Sequence, residues 1–210
     1  MQSANKGTVF VVDDDDAVRD GIAQLLLSED YEVRTFSSAA EFLGERKSRR
    51  PSCILLDVRL PGIDGMELQA RLKEEGRSVS IVFMTGYGTI PMSVQAIKDG
   101  ASEFLTKPVD EEKLFKAVDE ALAEDQARLS KNKDLDDLRS RLRQLTPREL
   151  EAMRYAIGGL MNKQLAGALG TSEITAKVHK RRVMEKMGAR TIVQLVHFAD
   201  VLGVEVIPYR

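Results

Sequence analysis

Cysteine is almost absent: Cys53 is the single one in 210 residues. An internal disulfide framework is therefore excluded, and the chain fits a reducing compartment, the cytoplasm. Cys53 opens a short apolar run, so it reads as a small core residue rather than a nucleophile. Histidine is nearly as scarce. His179 and His197 are too few, and too far from the acidic cluster described below, to suggest a zinc site. His179 reads as a packed, hydrogen-bonded core residue and His197 as a residue at a core edge or interface. No apolar run reaches the ~18 residues a membrane helix needs, and no basic segment followed by an apolar stretch stands at the N-terminus. Neither a spanning helix nor a secretory signal is expected.

What is present is the composition of an ordinary soluble protein, 43% apolar and 30% charged, with enough chain for one large domain or two small ones. The formal net charge of −2 conceals an asymmetry. Residues 1–125 carry 24 acidic and 15 basic side chains, residues 126–145 carry 3 and 6, and residues 146–210 carry 6 and 10. An acidic front and a basic tail point to two modules, the second facing a polyanion.

The first 125 residues alternate between two periodicities. Strand candidates lie at 8–12, 32–36, 53–57, 80–85 and 102–106. Helical spacing predicts helices at 16–29, 38–47, 64–75, 90–99 and 111–124; Val18, Ile22, Leu25 and Leu26 share one face, as do Leu114, Phe115, Val118 and Leu122. Five such βα units imply a doubly wound parallel sheet, covered by helices on both faces and built with right-handed crossovers. Residues 126–145 form a glycine-free charged stretch in which Leu135, Leu138, Leu142 and Leu145 step 3, 4, 3. That is an a/d pattern, and it predicts a linker helix in which two chains could pair as a short coiled coil. The stripe is out of phase with Leu122 and Leu129, so the helix is expected to break or shift near Ser130-Lys131-Asn132. Beyond Thr146-Pro147 the pattern is all helix: four helices, with stops at Gly158-Gly159, Gly170 and Gly188. Two short helices around a Gly-containing turn make a helix-turn-helix.

Three acidic positions and one lysine carry the chemistry. Asp13 and Asp14 follow Val9-Phe10-Val11-Val12, Asp57 follows Ile54-Leu55-Leu56, and Lys107 follows Phe104-Leu105-Thr106. Each comes directly after a strand, and the C-terminal ends of parallel strands line the crevice where ligands bind. Mg²⁺ takes oxygen ligands, commonly one or two carboxylates with waters and phosphate oxygens. Asp14 and Asp57 suit direct ligation, and Asp13 suits a coordinated water. Asp57 can also be a nucleophile that forms an aspartyl phosphate. Thr85, ending the fourth strand, can bond a phosphoryl oxygen, and Lys107 can pair with one as a point charge. A cis Lys107-Pro108 bond would aim the lysine inward. Asp15 and Asp16 are assigned to the start of the first helix, where acidic groups meet its positive end. A phosphatase with a carboxylate nucleophile would want a second Asp two residues after Asp57, where Arg59 stands.

In these residues the chain resembles the receiver domains of bacterial response regulators. The matching segments are Val-Val-Asp13-Asp14, Leu-Leu-Asp57-Val-Arg-Leu-Pro-Gly-Ile-Asp64-Gly65, Met-Thr85-Gly86, Ala101 and Phe-Leu-Thr-Lys107-Pro108, and residues 85–100 are similar to the FixJ branch. The resemblance implies a flavodoxin-like receiver, a sensor histidine kinase that donates phosphate to Asp57, and the main-chain carbonyl of Arg59 as a metal ligand. It also implies a switch that couples Thr85 to Phe104. Phenylalanine there lacks the tyrosine hydroxyl of many relatives, so hydrogen-bonded versions of that switch are excluded.

Residues 146–205 resemble the LuxR/NarL-type helix-turn-helix through Leu145-Thr-Pro-Arg-Glu149, Gly159-Leu-Met-Asn162-Lys163-Gln-Leu-Ala166, Leu169-Gly170 and Thr175-Ala-Lys177-Val-His179. Within 172–187, Ala176, His179, Val183 and Met187 share the face that should pack inward. Lys177 and Arg181 would then read guanine and Val178 a thymine methyl, while Lys163, Lys180, Arg182 and Lys186 approach phosphates, with Thr175 alongside. The expected organisation is a receiver at 1–125, a helical linker at 126–145 and a DNA-binding domain at 146–210. The expected function is that of a two-component transcriptional regulator, not a turnover enzyme. Its expected partners are the kinase, promoter DNA, RNA polymerase and, on phosphorylation, a second copy that pairs through the 90–105 face. The unphosphorylated receiver would either mask the DNA-binding domain or leave it monomeric. A metal-dependent phosphatase and a phosphorylation-independent regulator or protein-binding adaptor stand as the alternatives.

Overall fold

A computed structural model describes residues 6–46, 48, 50–86 and 90–208, with residues 90–92 described in backbone alone. The expected motif residues Tyr87, Gly88 and Thr89 lie outside the described residues. The chain divides into two compact units, Met1–Ser130 and Lys131–Arg210.

The first unit alternates β1 (Thr8–Val12), α1 (Asp16–Ser28), β2 (Glu32–Phe36), α2 (Ala39–Leu43), β3 (Ser52–Asp57), α3 (Gly65–Glu74), β4 (Ser80–Thr85), α4 (Ile90–Lys98), β5 (Glu103–Thr106) and α5 (Glu111–Arg143). The strands form one parallel sheet in the order β2-β1-β3-β4-β5. Every residue of β1, β3 and β4 is buried, because a parallel sheet with helices on both faces leaves its central strands no solvent side. Alternation along each strand divides the core in two. Val9, Val11, Leu55, Val82 and Met84 pack with Ile22, Leu26, Leu114 and Val118 on one face. Phe10, Val12, Ile54, Leu56 and Phe83 pack with Phe42, Leu68, Leu72 and Ala96 on the other. Each fully buried Val, Leu, Ile, Phe or Met among them contributes about 1.5–3 kcal/mol. The order changes direction at β1, whose neighbours are β2 and β3, so the crevice opens beyond the C-terminal ends of β1 and β3.

Two helices differ from expectation. α2 stops at Leu43 instead of reaching residue 47, because Gly44 closes it and the charged residues that follow offer no apolar face to bury. α5 runs without interruption through Ser130-Lys131-Asn132, where a break was expected. A slip in heptad phase matters to a partner helix but not to the backbone bonds within one helix, and this stretch has neither glycine nor proline to interrupt them. Near the end of the first unit α5 is tied to the sheet's N-terminal edge. Ser80 and Ser102 hydroxyls donate to Glu124 Oε2 at 3.1 and 2.6 Å, and the Ser52 N–H donates to buried Asp125 Oδ2 at 3.0 Å. Arg128 pairs with the other oxygen of Asp125.

The second unit holds the end of α5, then α6 (Pro147–Ile157), α7 (Asn162–Leu169), α8 (Glu173–Met187) and α9 (Ile192–Leu202). Thr146 and Glu149 form a reciprocal cap at the start of α6, and Gly170 and Gly188 end α7 and α8 in the left-handed conformation. Ala152, Met153, Leu165, Leu169, Ala176, Val183, Met187 and Leu195 make its core, and Leu142 and Leu145 pack against it. The leucine stripe read as a seam between two chains is thus partly spent within one chain. Leu135 and Leu138 border a groove of about 750 Å³ with His197, Phe198 and Val201. Among the described residues no helix is long and apolar enough to cross a membrane.

Candidate functional site

The fold brings Asp13, Asp14, Asp57 and Lys107 together at the mouth of the crevice. Asp57 is the last residue of β3, and Asp13 prolongs β1 by one residue through its N–H bond to the Phe36 carbonyl. Carboxylate oxygens of Asp13, Asp14 and Asp57 lie within 4.8 Å of one another. Asp13 and Asp57 are buried and Asp14 is exposed, so the cluster has two inner groups and one at the opening. Lys107 Nζ donates to Asp13 Oδ2 and Asp57 Oδ2, each at 2.6 Å. The other oxygens of the two buried acids accept backbone N–H groups, Asp15 onto Asp13 at 3.1 Å and Arg59 onto Asp57 at 3.0 Å.

Electrostatics follow from this arrangement. Burial pushes the Asp13 carboxyl above its usual range, against the opposing pull of Lys107 and the Asp15 N–H. Burial drags the Lys107 ammonium down, but its bonds to Asp13 and Asp57 prevail and hold it above its usual value, so it stays charged. Three carboxylates around one ammonium leave excess negative charge at an opening lined by oxygen donors. That is the donor set a hard divalent cation takes, so the residues present fit a metal of that class.

Several neighbours shape the pocket. Asp15 caps α1 by accepting the Ala17 and Val18 N–H groups, and Asp16 pairs with Arg19. Arg19 also donates to the Asp13 carbonyl at 2.7 Å, which ties the acidic loop to the first turn of α1. Gly65 begins α3 hard against β3's exit. A Cβ there would lie 2.4 Å from the Asp57 carbonyl oxygen and 3.1 Å from Val58 Cα, so only glycine fits. Thr85 is buried at the end of β4, and its carbonyl accepts the Lys107 N–H at 2.8 Å. Lys107-Pro108 is cis. Phe104 is half-buried, with its ring 6.3 Å from Phe83 and against the second core. Sequence reading did not single out Arg19, and it used Gly65 only as part of a motif. An arginine in the first turn of α1, six residues beyond Asp13, was a usable signal for the first. The close approach at Gly65 had none.

On α8, Ala176, Val183 and Met187 are buried, while Thr175, Lys177, Arg181 and Arg182 are exposed and Val178 and Lys180 half-exposed. Lys163 is exposed at the start of α7. Thr175 is engaged in the α8 cap, with its N–H and hydroxyl both on Ser172. Arg181 meets Glu185 at 3.4 Å in an exposed pair that contributes little. Lys186 departs from expectation. Its ammonium donates to buried Glu149 at 2.6 Å and to the Gln144 carbonyl at 3.1 Å, so it serves the fold rather than standing free for a phosphate. That ammonium, with the Thr146 N–H, pulls the Glu149 carboxyl down to about 2. His179 also differs from the hydrogen-bonded residue expected: among the described residues its buried Nδ1 has no hydrogen-bond partner.

A (βα)₅ unit with an acidic pocket at its strand ends, followed by a helix-turn-helix unit with a basic outward helix, defines a two-module regulator of the response-regulator class. Known families agree in both halves: the response regulator receiver domain matches residues 9–119, and the bacterial regulatory proteins of the luxR family match residues 143–199. The chain is 40% identical to nodulation protein W of Bradyrhizobium diazoefficiens over 97% of its own length and 89% of that protein. It is 36% identical to the transcriptional regulatory protein FixJ of the same species over 92% and 95% of the two lengths. The low-resolution structure of the response regulator StyR superposes with a TM-score of 0.83 at 44% identity, covering 92% of this chain and 98% of that one. The chain therefore belongs to the response regulators that join a receiver to a LuxR-type DNA-binding domain.

Proposed function

We propose that Asp57 accepts a phosphoryl group from a sensor histidine kinase and that this modification controls sequence-specific promoter binding by the helical unit. The observation that supports it most is the placement of Asp57 beside Asp13 and Asp14, with Lys107 bridging the two buried acids. Asp13, Asp14, Asp57 and the Arg59 main-chain carbonyl would hold Mg²⁺, which when bound offsets repulsion between the carboxylate and the incoming phosphoryl oxygens. An Asp57 oxygen attacks phosphorus, the phosphorus–nitrogen bond of the donor phosphohistidine breaks, and the imidazole leaves with the bonding pair. Lys107 is already within reach of Asp57 and can pair with a phosphoryl oxygen while remaining an ammonium. Thr85 supplies a hydroxyl to another oxygen, and its movement opens space for Phe104, which abuts Phe83.

The output is a population shift. Moving the equilibrium from 1:99 to 99:1 requires about 5.5 kcal/mol of differential stabilisation. In our reading it remodels the 90–105 face and brings two receivers together, so that two helix-turn-helix units meet two half-sites. Lys177, Arg181 and Val178 read bases, and Lys163, Lys180 and Arg182 approach phosphates beside Thr175. The receiver spans 1–125, a helical connector 126–145 and the DNA-binding domain 146–210, in a cytoplasmic protein that acts on RNA polymerase at promoters and catalyses no turnover reaction. The test is selection of duplexes from a random pool by the full chain, with and without Mg²⁺ and acetyl phosphate. Donor-enhanced binding to a defined sequence is expected, and it should be absent in Asp57→Asn. Equal binding with and without donor would overturn the proposed control.

A further inference from the structure

We propose that Ile174 is a specificity-determining residue, seated in the DNA major groove against a thymine methyl. The inference rests on the DNA-binding reading above and extends it to a residue which that reading leaves out.

Ile174 is 79% exposed, the most exposed of the large hydrophobic side chains among the described residues. Its place on α8 gives that exposure meaning. At roughly 100° per residue, it points almost directly away from the buried stripe of Ala176, Val183 and Met187. Lys177, Val178 and Arg181 lie within about 60° of it on the same outward arc. Ile174 therefore occupies the middle of the face proposed to read bases, on the first turn of the helix. In helix-turn-helix proteins it is the N-terminal end of the second helix that meets base edges.

That turn is held firmly. Ser172 accepts the Thr175 N–H at 3.2 Å and shares a 2.9 Å hydroxyl contact with Thr175, so Glu173 and Ile174 between them are carried on a fixed backbone. Isoleucine is stiff at χ1, which makes its methyl groups a preorganised surface. Its surroundings select the partner. Glu173 precedes it, and Lys177, Lys180, Arg181 and Arg182 follow, so Ile174 and its half-exposed neighbour Val178 one turn on are set among charged groups rather than in a broad apolar face. A partner that accepts several cations yet offers an isolated apolar group is a polyanion of the DNA type. The thymine 5-methyl is the apolar feature of the major groove.

The experiment uses the full chain and a duplex it selects from a random pool, with each thymine replaced in turn by deoxyuridine, which removes only the methyl. At one or two positions deoxyuridine should weaken wild-type binding about four-fold, the effect of one buried methyl. The same replacement should leave Ile174→Ala unaffected. Ile174→Ala should melt with the wild type, since an exposed side chain leaves no cavity, and should bind random-sequence duplex equally well. If deoxyuridine weakens both proteins alike at every thymine, or Ile174→Ala leaves all affinities unchanged, the assignment is overturned while DNA binding stands. A chain that selects no duplex overturns both.

Discussion

Gly65→Ala probes the pocket without touching any of its charged groups. The added Cβ would sit 2.4 Å from the Asp57 carbonyl oxygen and 3.1 Å from Val58 Cα. An ordinary carbon–oxygen contact is about 3.3–3.6 Å, so α3 and the end of β3 must part by roughly 1 Å. Both opposing atoms are backbone, and no rotamer change can relieve them. Overpacking of this kind costs about 1–3 kcal/mol, which denaturant unfolding would register. Function should suffer as well, because the displaced peptide carries the carboxylate proposed to meet phosphorus. A misplacement of about 1 Å can cost on the order of 10²-fold in rate. Acetyl phosphate labelling followed over time should slow by that order at saturating Mg²⁺. Gly21→Ala is the control: a Cβ there meets nothing within 4 Å in α1, and it should stabilise by up to about 1 kcal/mol with unchanged labelling. If Gly65→Ala labels at the wild-type rate, the claim that this contact fixes Asp57 is wrong.

Other outcomes follow from the same geometry. Lys107→Met leaves two buried carboxylates without their shared counter-ion and should destabilise the first unit by about 3–5 kcal/mol at neutral pH, with added Mg²⁺ restoring part of the loss in a melt. Glu149 has its folded pKa lowered from 4.5 to about 2. Its contribution is therefore fully present above pH 4.5 and lost as pH falls toward 2. That difference corresponds to at most about 3 kcal/mol, and because Lys186 is 34% exposed, screening brings it nearer 2. Acid unfolding of the helical unit should show that loss, and Glu149→Gln should abolish it. Lys177→Ala or Arg181→Ala should relax sequence preference, and Lys163→Ala should weaken binding across all sequences, as competition gel shifts would show; equal losses in all three would undo the division of roles.

What the sequence revealed depended on how local the determinant was. Strand positions came within a residue of those observed; for β1, β3 and β4 an apolar run bounded by polar residues fixes both the strand and its exit. The pocket was legible for the same reason: Asp13, Asp57 and Lys107 each follow a strand, and a parallel sheet gathers those ends. Long-range partners were not legible. The pairing of Lys186 with Glu149 joins α8 to α6 across 37 positions, and nothing in the basic run of α8 separates Lys186 from its neighbours. Gly65 was not legible either, although its constraint is near in sequence: it comes from the Asp57 carbonyl at the end of β3, and only the folded turn brings the two together. The linker was misread for a subtler reason. A heptad phase slip was treated as a break, although helix continuity depends on backbone bonds and α5 carries on through it. His179 was placed correctly on α8, but nothing local in the sequence marks its Nδ1 as unpartnered among the described residues.

The central claim is that Asp57 is the phosphoryl acceptor in a pocket completed by Asp13, Asp14 and Lys107. Incubating the full chain with acetyl phosphate and Mg²⁺, trapping the acyl phosphate by borohydride reduction and mapping the reduced residue by peptide mass spectrometry addresses it directly. The account predicts modification at Asp57, abolished by chelation and by Asp57→Asn. Modification at another residue, or undiminished labelling of the variant, would contradict it.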